Sequence, residues 1–336
     1  MNTQNALSAL NNIIRKSRIH LYKPIQIAEI LHRARVNGDV DVNDIQNYRN
    51  RSKVWRDQIS QRLVGRVSTS SQKFQDNLFE ANAIPPEVLS KLHEMNKKDG
   101  SVEKHIYLQM TARLNDVTFA SNYISTAKRF RLKEFLDIFK RRPGLTRSVD
   151  KAYEIVAYSL FSALIAELNV QTTVSIRNPN RALMADFNDF IKKVIGLDGT
   201  DMILPARVYR SGVTNAADRG LDMWANFGPA IQVKHIDLSE DLADNVADSI
   251  TSDQIVLICL DAERAVIQNV LAKTSTGHRF RAIITMNDLD HWYELCLTKY
   301  SGTLGKKMLE YLKREFNAEF PSNTSMMAFM KERGYA

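Results

Sequence analysis

The stretch that decides the fold is GLDMWANFGPAIQVKHI, residues 220–236. Two β-strand patterns, GLDMWA and AIQVKHI, flank the turn-forming letters NFGP, so the stretch predicts an antiparallel hairpin. Polar side chains interrupt both strands, although hydrophobic ones are easier to bury. Asp222 lies on the first strand, and Gln232 and Lys234 lie on the second. We therefore expect this hairpin to carry a functional site.

The length of the turn decides which of these side chains meet. Residues two apart in a strand share a face, so Gln232 and Lys234 point the same way. A turn with an odd number of residues, such as 227–229, puts Asp222 opposite Lys234 and brings all three polar side chains together. An even turn puts Asp222 opposite Val233 and on the other face, unless a bulge intervenes. The sequence alone leaves both registers open.

A carboxylate, an amide and an ammonium group that converge on a sheet can serve phosphodiester hydrolysis. Mg²⁺ prefers oxygen ligands, which the Asp222 carboxylate and the backbone carbonyl of Val233 offer. Lys234 can orient the attacking water or stabilise charge on the phosphate. Glu154 is the candidate second carboxylate, because an acid inside the apolar helix pattern KAYEIVAYSLF is costly to bury unless it is paired or binds a metal.

The rest of the chain predicts an α+β protein. Up to residue 145 the hydrophobic spacing is helical, as in PIQIAEILHRARV, and Pro143 and Gly144 end this part of the chain. Beyond it, a long apolar helix precedes strands at VQTTVSI, PARVYRSG, the hairpin, DQIVLICL and FRAIITM. We expect two domains: a helical, basic region over residues 1–145 for DNA binding and dimerisation, and a nuclease core with a mixed sheet over 146–336.

Charge is distributed unevenly along the chain. The net charge is +8, but residues 1–150 contain 26 basic against 15 acidic side chains, whereas the remainder contains 20 against 23. A basic half of this kind is typical of a surface for a polyanion such as DNA, although basic side chains also serve solubility. The predicted DNA-binding residues are Arg129, Arg131, Lys133, Arg141, Arg142, Arg279 and Arg281.

Several classes of protein are disfavoured by the sequence. Neither a signal peptide nor an apolar run of membrane-spanning length is present, so we expect a cytoplasmic protein without membrane contact. Cys259 and Cys296 lie in apolar runs without a CxxC pair, which indicates core residues. GTLGKK lacks the spacing of a phosphate-binding P-loop, and NPNR falls short of the NPPY of adenine methyltransferases.

The hairpin also carries a family resemblance. Asp222, followed after nine residues by Gln232, Val233 and Lys234, resembles the signature of PD-(D/E)XK nucleases, and the upstream helix with Glu154 is similar to the first core helix of that superfamily. This chain departs from the pattern at Gln232, where the family has Glu or Asp. An amide is a weaker metal ligand than a carboxylate, which makes Glu154 more important. The catalytic set implied is Asp222, Gln232, Lys234 and Glu154, and the metal ligands implied are Asp222, Val233 and Glu154.

Longer blocks make the resemblance more specific. HLYKPIQIAEILHRARV, VGRVSTSSQKFQDNLF and ADRGLDMWANFGPAIQVKHI are similar to HaeII-type restriction endonucleases. The resemblance implies Mg²⁺-dependent double-strand cleavage of a short palindrome, purine-GCGC-pyrimidine. A palindrome implies a two-fold symmetric homodimer on double-stranded DNA. A restriction enzyme also implies a cognate DNA methyltransferase that protects the host.

Two alternatives stay open from the sequence. The basic half and the short helices before residue 65 also fit a DNA-binding regulator that performs no catalysis and contains a helix-turn-helix. A repair nuclease that selects its substrate by DNA shape would use the same catalytic side chains. Metal-dependent, discrete DNA fragments distinguish a restriction enzyme from both.

Overall fold

The computed structural model describes residues 2–68, 78–79, 84–126, 130–211, 221–273, 277–322 and 325–335. The chain forms two compact units: Met1–Ala152 together with Lys313–Ala336, and Tyr153–Leu312. The first unit therefore includes the end of the chain as well as its beginning. The division into domains 1–145 and 146–336 stays a prediction.

Helices account for most of the described secondary structure. In chain order they are α1 (Thr3–Lys16), α2 (Tyr22–Val36), α3 (Ile45–Tyr48), α4 (Arg51–Val64), α5 (Pro86–Asn96), α6 (Ser101–Thr126), α7 (Leu132–Arg141), α8 (Val149–Glu167), α9 (Arg181–Asp186), α10 (Asn188–Phe190), α11 (Glu240–Ser249), α12 (Arg264–Ala272), α13 (Met286–Thr298), α14 (Lys306–Glu319) and α15 (Met326–Glu332). Among the described residues, none of these helices is long and apolar enough to cross a membrane.

In the first unit, an apolar core joins helices from both ends of the chain. Helices α1, α2, α5, α6 and α15 all contribute to it, and Phe329 of α15 is fully buried there. Next to this core lies the buried carboxylate of Glu103. Burial raises its pKa, but hydrogen bonds from side chains of α2, α5 and the C-terminal segment outweigh burial and lower the pKa to about 2. The donors are His32, Arg35, Tyr335 and Asn96.

The second unit is built on a five-stranded mixed sheet. Its strands are β3 (Val208–Arg210), β4 (Met223–Ala225), β5 (Ala230–Val233), β6 (Ile255–Cys259) and β7 (Phe280–Thr285), in that spatial order. Strands β3, β4 and β5 are antiparallel, whereas β5, β6 and β7 are parallel. The strand IVLIC of β6 is buried throughout, as expected for a central strand covered on both faces. This architecture confirms the α+β prediction.

The periodicity of the sequence located most of this sheet. It also located α8, the apolar helix, and the strand β1 (Gln171–Ser175). It missed β2 (Asp201–Pro205), which pairs with β1 in a separate two-stranded antiparallel sheet. The two cysteines are free and buried, in agreement with their prediction as core residues.

Candidate active site

The hairpin turn has three residues. Met223 lies opposite Ile231 and Trp224 opposite Ala230, and the backbone N–H of Ala225 donates to the carbonyl of Pro229 at 2.9 Å. The turn is therefore residues 226–228. Its odd length keeps the polar side chains on one face, but the register differs by two residues from the predicted turn at 227–229.

Continued by one residue pair, this register puts Asp222 opposite Gln232, whereas an odd turn at 227–229, one of the turns that the sequence left open, would have put it opposite Lys234. The physical reason is the place of Pro229. Its carbonyl accepts a hydrogen bond across the hairpin, so it belongs to the end of the second strand and not to the turn. In an antiparallel pair, directly opposite residues share a face and have Cβ atoms about 4.5–5.5 Å apart. The carboxylate of Asp222 and the amide of Gln232 therefore lie next to each other on the same face of the sheet.

Asp222 ends the pairing of β4 with β5. The backbone N–H of Val233 donates to Oδ2 of Asp222 at 2.8 Å, so the carboxylate continues the ladder where backbone pairing stops. On its other side Asp222 still pairs with the chain after β3, because its carbonyl accepts from the N–H of Ser211 at 2.9 Å. The Asp222 carboxylate is thus held by backbone at the point where β4 separates from β5.

The backbone of Val233 faces this same gap. Lys234 donates its N–H to Ile258 of β6 at 2.8 Å, and the backbone groups of successive strand residues point alternately to the two neighbouring strands. Val233 therefore directs its N–H and its carbonyl toward β4. The predicted metal ligands Asp222 and Val233 come together in the structure.

The buried side-chain oxygen of Gln232 indicates what kind of ligand fits this site. The residue is only 3 % exposed, and its Oε1 has no hydrogen-bond partner among the described residues. Leaving a buried polar atom unsatisfied costs roughly 1–3 kcal/mol. An Mg²⁺ ion takes oxygen ligands and retains several waters, so the carboxylate, the amide oxygen and the Val233 carbonyl fit this ion.

Lys234 extends the same face of β5. Its side chain is half-buried, and because it lies two residues after Gln232 it points to the side of the sheet that carries Gln232 and Asp222. A half-buried ammonium group acts on a nearby phosphate more strongly than an exposed one, since water screens it less. The structure thus groups Asp222, Gln232, Val233 and Lys234.

Glu154 takes part in an ion pair that the sequence did not suggest. Its carboxylate lies 3.7 Å from the guanidinium of Arg210, and the side chains of Glu154 and Arg210 are 5 % and 10 % exposed. Arg210 ends β3 directly opposite Met223, the residue after Asp222. Arg210 was not predicted from the sequence as a residue of the site, because an arginine at a strand end is ordinarily exposed. The role of Glu154 as a metal ligand stays a prediction.

Carboxylates are sparse around this site. Within the part of the chain that the structure describes, no three side chains of His, Cys, Asp or Glu come together in a way that could hold a metal ion. The candidate site instead offers one carboxylate, one amide and a backbone carbonyl.

An aromatic pair lies beside the site and was also missed from the sequence. Tyr209 and Trp224 face each other across β3 and β4, and their rings stack with centroids 4.4 Å apart. Trp224 is 45 % exposed and lies two residues after Asp222, so it shares the face of the site. The sequence GLDMWA contained this information, because Asp222 and Trp224 are two residues apart in a strand and therefore share a face.

The predicted DNA-binding residues around α7 differ in their surroundings. Arg129 lies outside the described residues. Arg131, Lys133 and Arg141 are exposed, and Arg141 forms a surface ion pair with Asp137. Arg142 is engaged within the fold: its guanidinium donates to Asp116 at 2.8 Å and lies over the ring of Phe119 at 3.5 Å. Contact between DNA and any of these residues stays a prediction.

Arg279 and Arg281 are also engaged within the fold. The guanidinium of Arg279 donates to the backbone carbonyls of Ala247, Ser252 and Ile250, and so satisfies the C-terminal end of α11. Arg281 is exposed and donates to Gln254 Oε1 at 2.9 Å. Arg279 therefore has a structural task that explains its presence without DNA, and contact between DNA and either arginine stays a prediction.

Comparison with known proteins bears on the whole chain. The model of the HaeII restriction endonuclease family matches residues 6–335. The chain is 46 % identical over 339 residues to the type II restriction enzyme NgoBI of Neisseria gonorrhoeae, covering 99 % of this chain and 97 % of that protein. It is 47 % identical over 340 residues to the type II restriction enzyme HaeII of Haemophilus aegyptius, with the same coverage.

Proposed function

Since the chain belongs to the HaeII restriction endonuclease family, it is a site-specific deoxyribonuclease, and we propose that it makes Mg²⁺-dependent double-strand cuts at a short palindrome. We propose purine-GCGC-pyrimidine as the recognition sequence and a PD-(D/E)XK core for the sheet and its helices. The grouping of Asp222, the Val233 carbonyl and the unsatisfied Oε1 of Gln232 carries this proposal.

The site residues have distinct roles in this proposal. Asp222 and the Val233 carbonyl would hold the ion, and the amide oxygen of Gln232 would contact it directly or through a water. When bound, Mg²⁺ supplies Lewis acidity toward the scissile phosphate. Glu154, whose carboxylate lies beside the guanidinium of Arg210, would contribute a further carboxylate to the ion or its waters.

Lys234 acts on the reacting phosphate. Its ammonium group donates hydrogen bonds and is cationic at neutral pH. From the face of Gln232 it orients the attacking water and stabilises the negative charge that develops on the phosphate oxygens.

DNA binding draws on the basic first half of the chain. The exposed side chains of Arg131, Lys133 and Arg141 support a phosphate-contacting surface around α7. Arg129, Arg142, Arg279 and Arg281 were predicted for the same role. Contacts to phosphate hold the protein on DNA regardless of sequence, so sequence recognition requires other side chains that reach the base edges.

The biological setting follows from the proposed recognition of a palindrome. Two copies of the chain bind the two half-sites as a homodimer, and each active site cuts one strand. We place the protein in the cytoplasm, where it has access to DNA. A DNA methyltransferase of the same specificity is its genetic partner, because host DNA would otherwise be cut.

The test is incubation of the purified protein with unmethylated phage DNA in Mg²⁺ or in EDTA. We expect discrete fragments only with Mg²⁺, whose ends map to the proposed palindrome. Retarded but intact DNA in both conditions would instead indicate a regulator without catalysis. Cuts at junctions or flaps, independent of sequence, would indicate a structure-selective nuclease.

A further inference from the structure

Residues 168–206, which we call the arm, protrude from the second unit. The arm contains β1, the helical run of α9 and α10 through residue 195, and β2. Most of its residues are exposed, and within it only Leu197 and Ala206 are buried. A two-stranded sheet with so little buried surface is marginally stable by itself. The arm therefore lacks a core of its own.

A stripe of large apolar side chains follows the helical run of the arm. Leu183, Phe187, Phe190 and Val194 are separated by four, three and four residues, and each is at least half exposed. This spacing places side chains on one face of a helix and is the pattern of helices that pack against another helix. Asn180 caps the start of the run by accepting from the N–H of Leu183. The run consists of α9, α10 and a π-helical stretch, Ile191–Ile195, and its large apolar side chains are uncovered.

The strands of the arm add to the apolar surface. Ile203 of β2 is 63 % exposed, and Leu168, just before β1, is 72 % exposed. Isolated apolar side chains on a surface are ordinary, but six in one segment of this size are typical of an interaction site. A standard interface buries about 800 Å² on each partner, which six to eight side chains with on the order of 100 Å² each would supply. The arm is therefore large enough for a stable protein interface.

The net charge of the arm indicates whether DNA or a second protein chain binds to it. It contains four basic and four acidic side chains, so its net charge is zero. They are Arg177, Arg181, Lys192, Lys193, Asp186, Asp189, Asp198 and Asp201. A DNA-binding surface needs an excess of cations, whereas a surface with both signs around an apolar centre can face a copy of itself. This balance excludes DNA as the main occupant of the stripe.

We infer that the arm, and not the region 1–145 to which the sequence assigned dimerisation, is the self-association surface of the protein, in which the Leu183–Phe187–Phe190–Val194 stripe of one copy packs against the arm of a second copy. This inference rests on the proposed function, because a palindrome requires two copies related by two-fold symmetry. A two-fold interface uses the same patch on both partners, which suits the balanced charges. Burial of the stripe also supplies the core that the arm lacks.

The test compares full-length variants by sedimentation velocity over nanomolar to micromolar concentrations. Phe187→Glu combined with Phe190→Glu places two charges in the stripe, and we expect the dimer dissociation constant to rise by at least about 100-fold. Leu271→Glu is the matched control, because Leu271 of α12 is an exposed apolar residue outside the arm. This variant should retain the wild-type dissociation constant.

A second measurement uses the unaltered protein and does not depend on how the variants fold. Amide hydrogen exchange in the arm should accelerate when the protein is diluted below the dissociation constant, whereas exchange in the buried strand β6 should stay slow. Exchange in the arm that is independent of concentration, or a double variant that dimerises like the wild type, would overturn the inference.

These results separate the arm from the proposed function. A protein that cuts phage DNA at discrete Mg²⁺-dependent sites, and whose dimer is unaffected by the double variant, contradicts the arm alone. Conversely, a dimer that the double variant dissociates, but that leaves DNA intact, contradicts the proposed cleavage and supports the arm.

Discussion

Replacing Asp222 with Asn is expected to lower the rate of DNA cleavage by about 10³-fold or more, while the fold and the affinity for DNA are retained. The wild-type carboxylate does two things: it accepts the Val233 N–H and it supplies negative charge beside Gln232. An Asn oxygen can still accept that N–H. The substitution therefore removes the charge and leaves the hydrogen bond, so a loss of activity reports on metal binding and not on the hairpin.

The measurement for this variant is single-turnover cleavage of a duplex that carries the proposed site, over a range of Mg²⁺ concentrations. Asp237→Asn is the matched control, because Asp237 is an exposed residue just beyond the hairpin. We expect the control to cut at the wild-type rate. If the Asp222 variant retained a tenth of wild-type activity at moderate Mg²⁺, the assignment of Asp222 as a metal ligand would be wrong.

Replacing Lys234 with Ala is the second change with a large expected effect. We expect the single-turnover rate to fall by roughly 10²–10³-fold, because a preorganised cation near the reacting phosphate is removed. DNA affinity should change much less, since one phosphate contact among many is lost. Lys234→Arg should recover part of the rate, because it keeps the charge but not the compact geometry of the ammonium group.

The cleavage rate and the DNA affinity are both measured, because together they distinguish a catalytic role of Lys234 from a simple phosphate contact. Lys306→Ala serves as the control, because it removes an exposed lysine in another part of the second unit. A Lys234→Ala protein that binds DNA many times more weakly, but cuts saturated DNA at the wild-type rate, would make Lys234 a simple phosphate contact.

Much of the hairpin could be predicted from local sequence. The alternation in GLDMWA and AIQVKHI predicted both strands, but it left open whether the turn has an odd or an even number of residues, and so whether Asp222 shares a face with Gln232. The register was the weak point, since NFGP allows a turn at 226–228 or at 227–229. Hydrogen bonding of the Pro229 carbonyl decides between them, and that bond depends on how the strands meet, which local residue preferences do not determine.

Contacts between distant parts of the sequence could not be predicted. Arg279 looked like a DNA-binding residue because its partners, the carbonyls at the end of α11, lie about thirty positions earlier in the chain. Glu154 was correctly identified as a buried acid that needs a partner, but its partner Arg210 lies on β3, 56 positions later. A single sequence shows that a buried charge requires compensation without showing which residue provides it.

Locating the bound metal tests the central claim most directly. Fe²⁺ can replace Mg²⁺ in the purified protein, and hydroxyl radicals generated from it with ascorbate and peroxide cut the polypeptide close to the ion. We predict cuts next to Asp222 and within 232–234, lost in Asp222→Asn. Cuts confined to other segments, or cuts that persist unchanged in the variant, would contradict a metal site built on this hairpin.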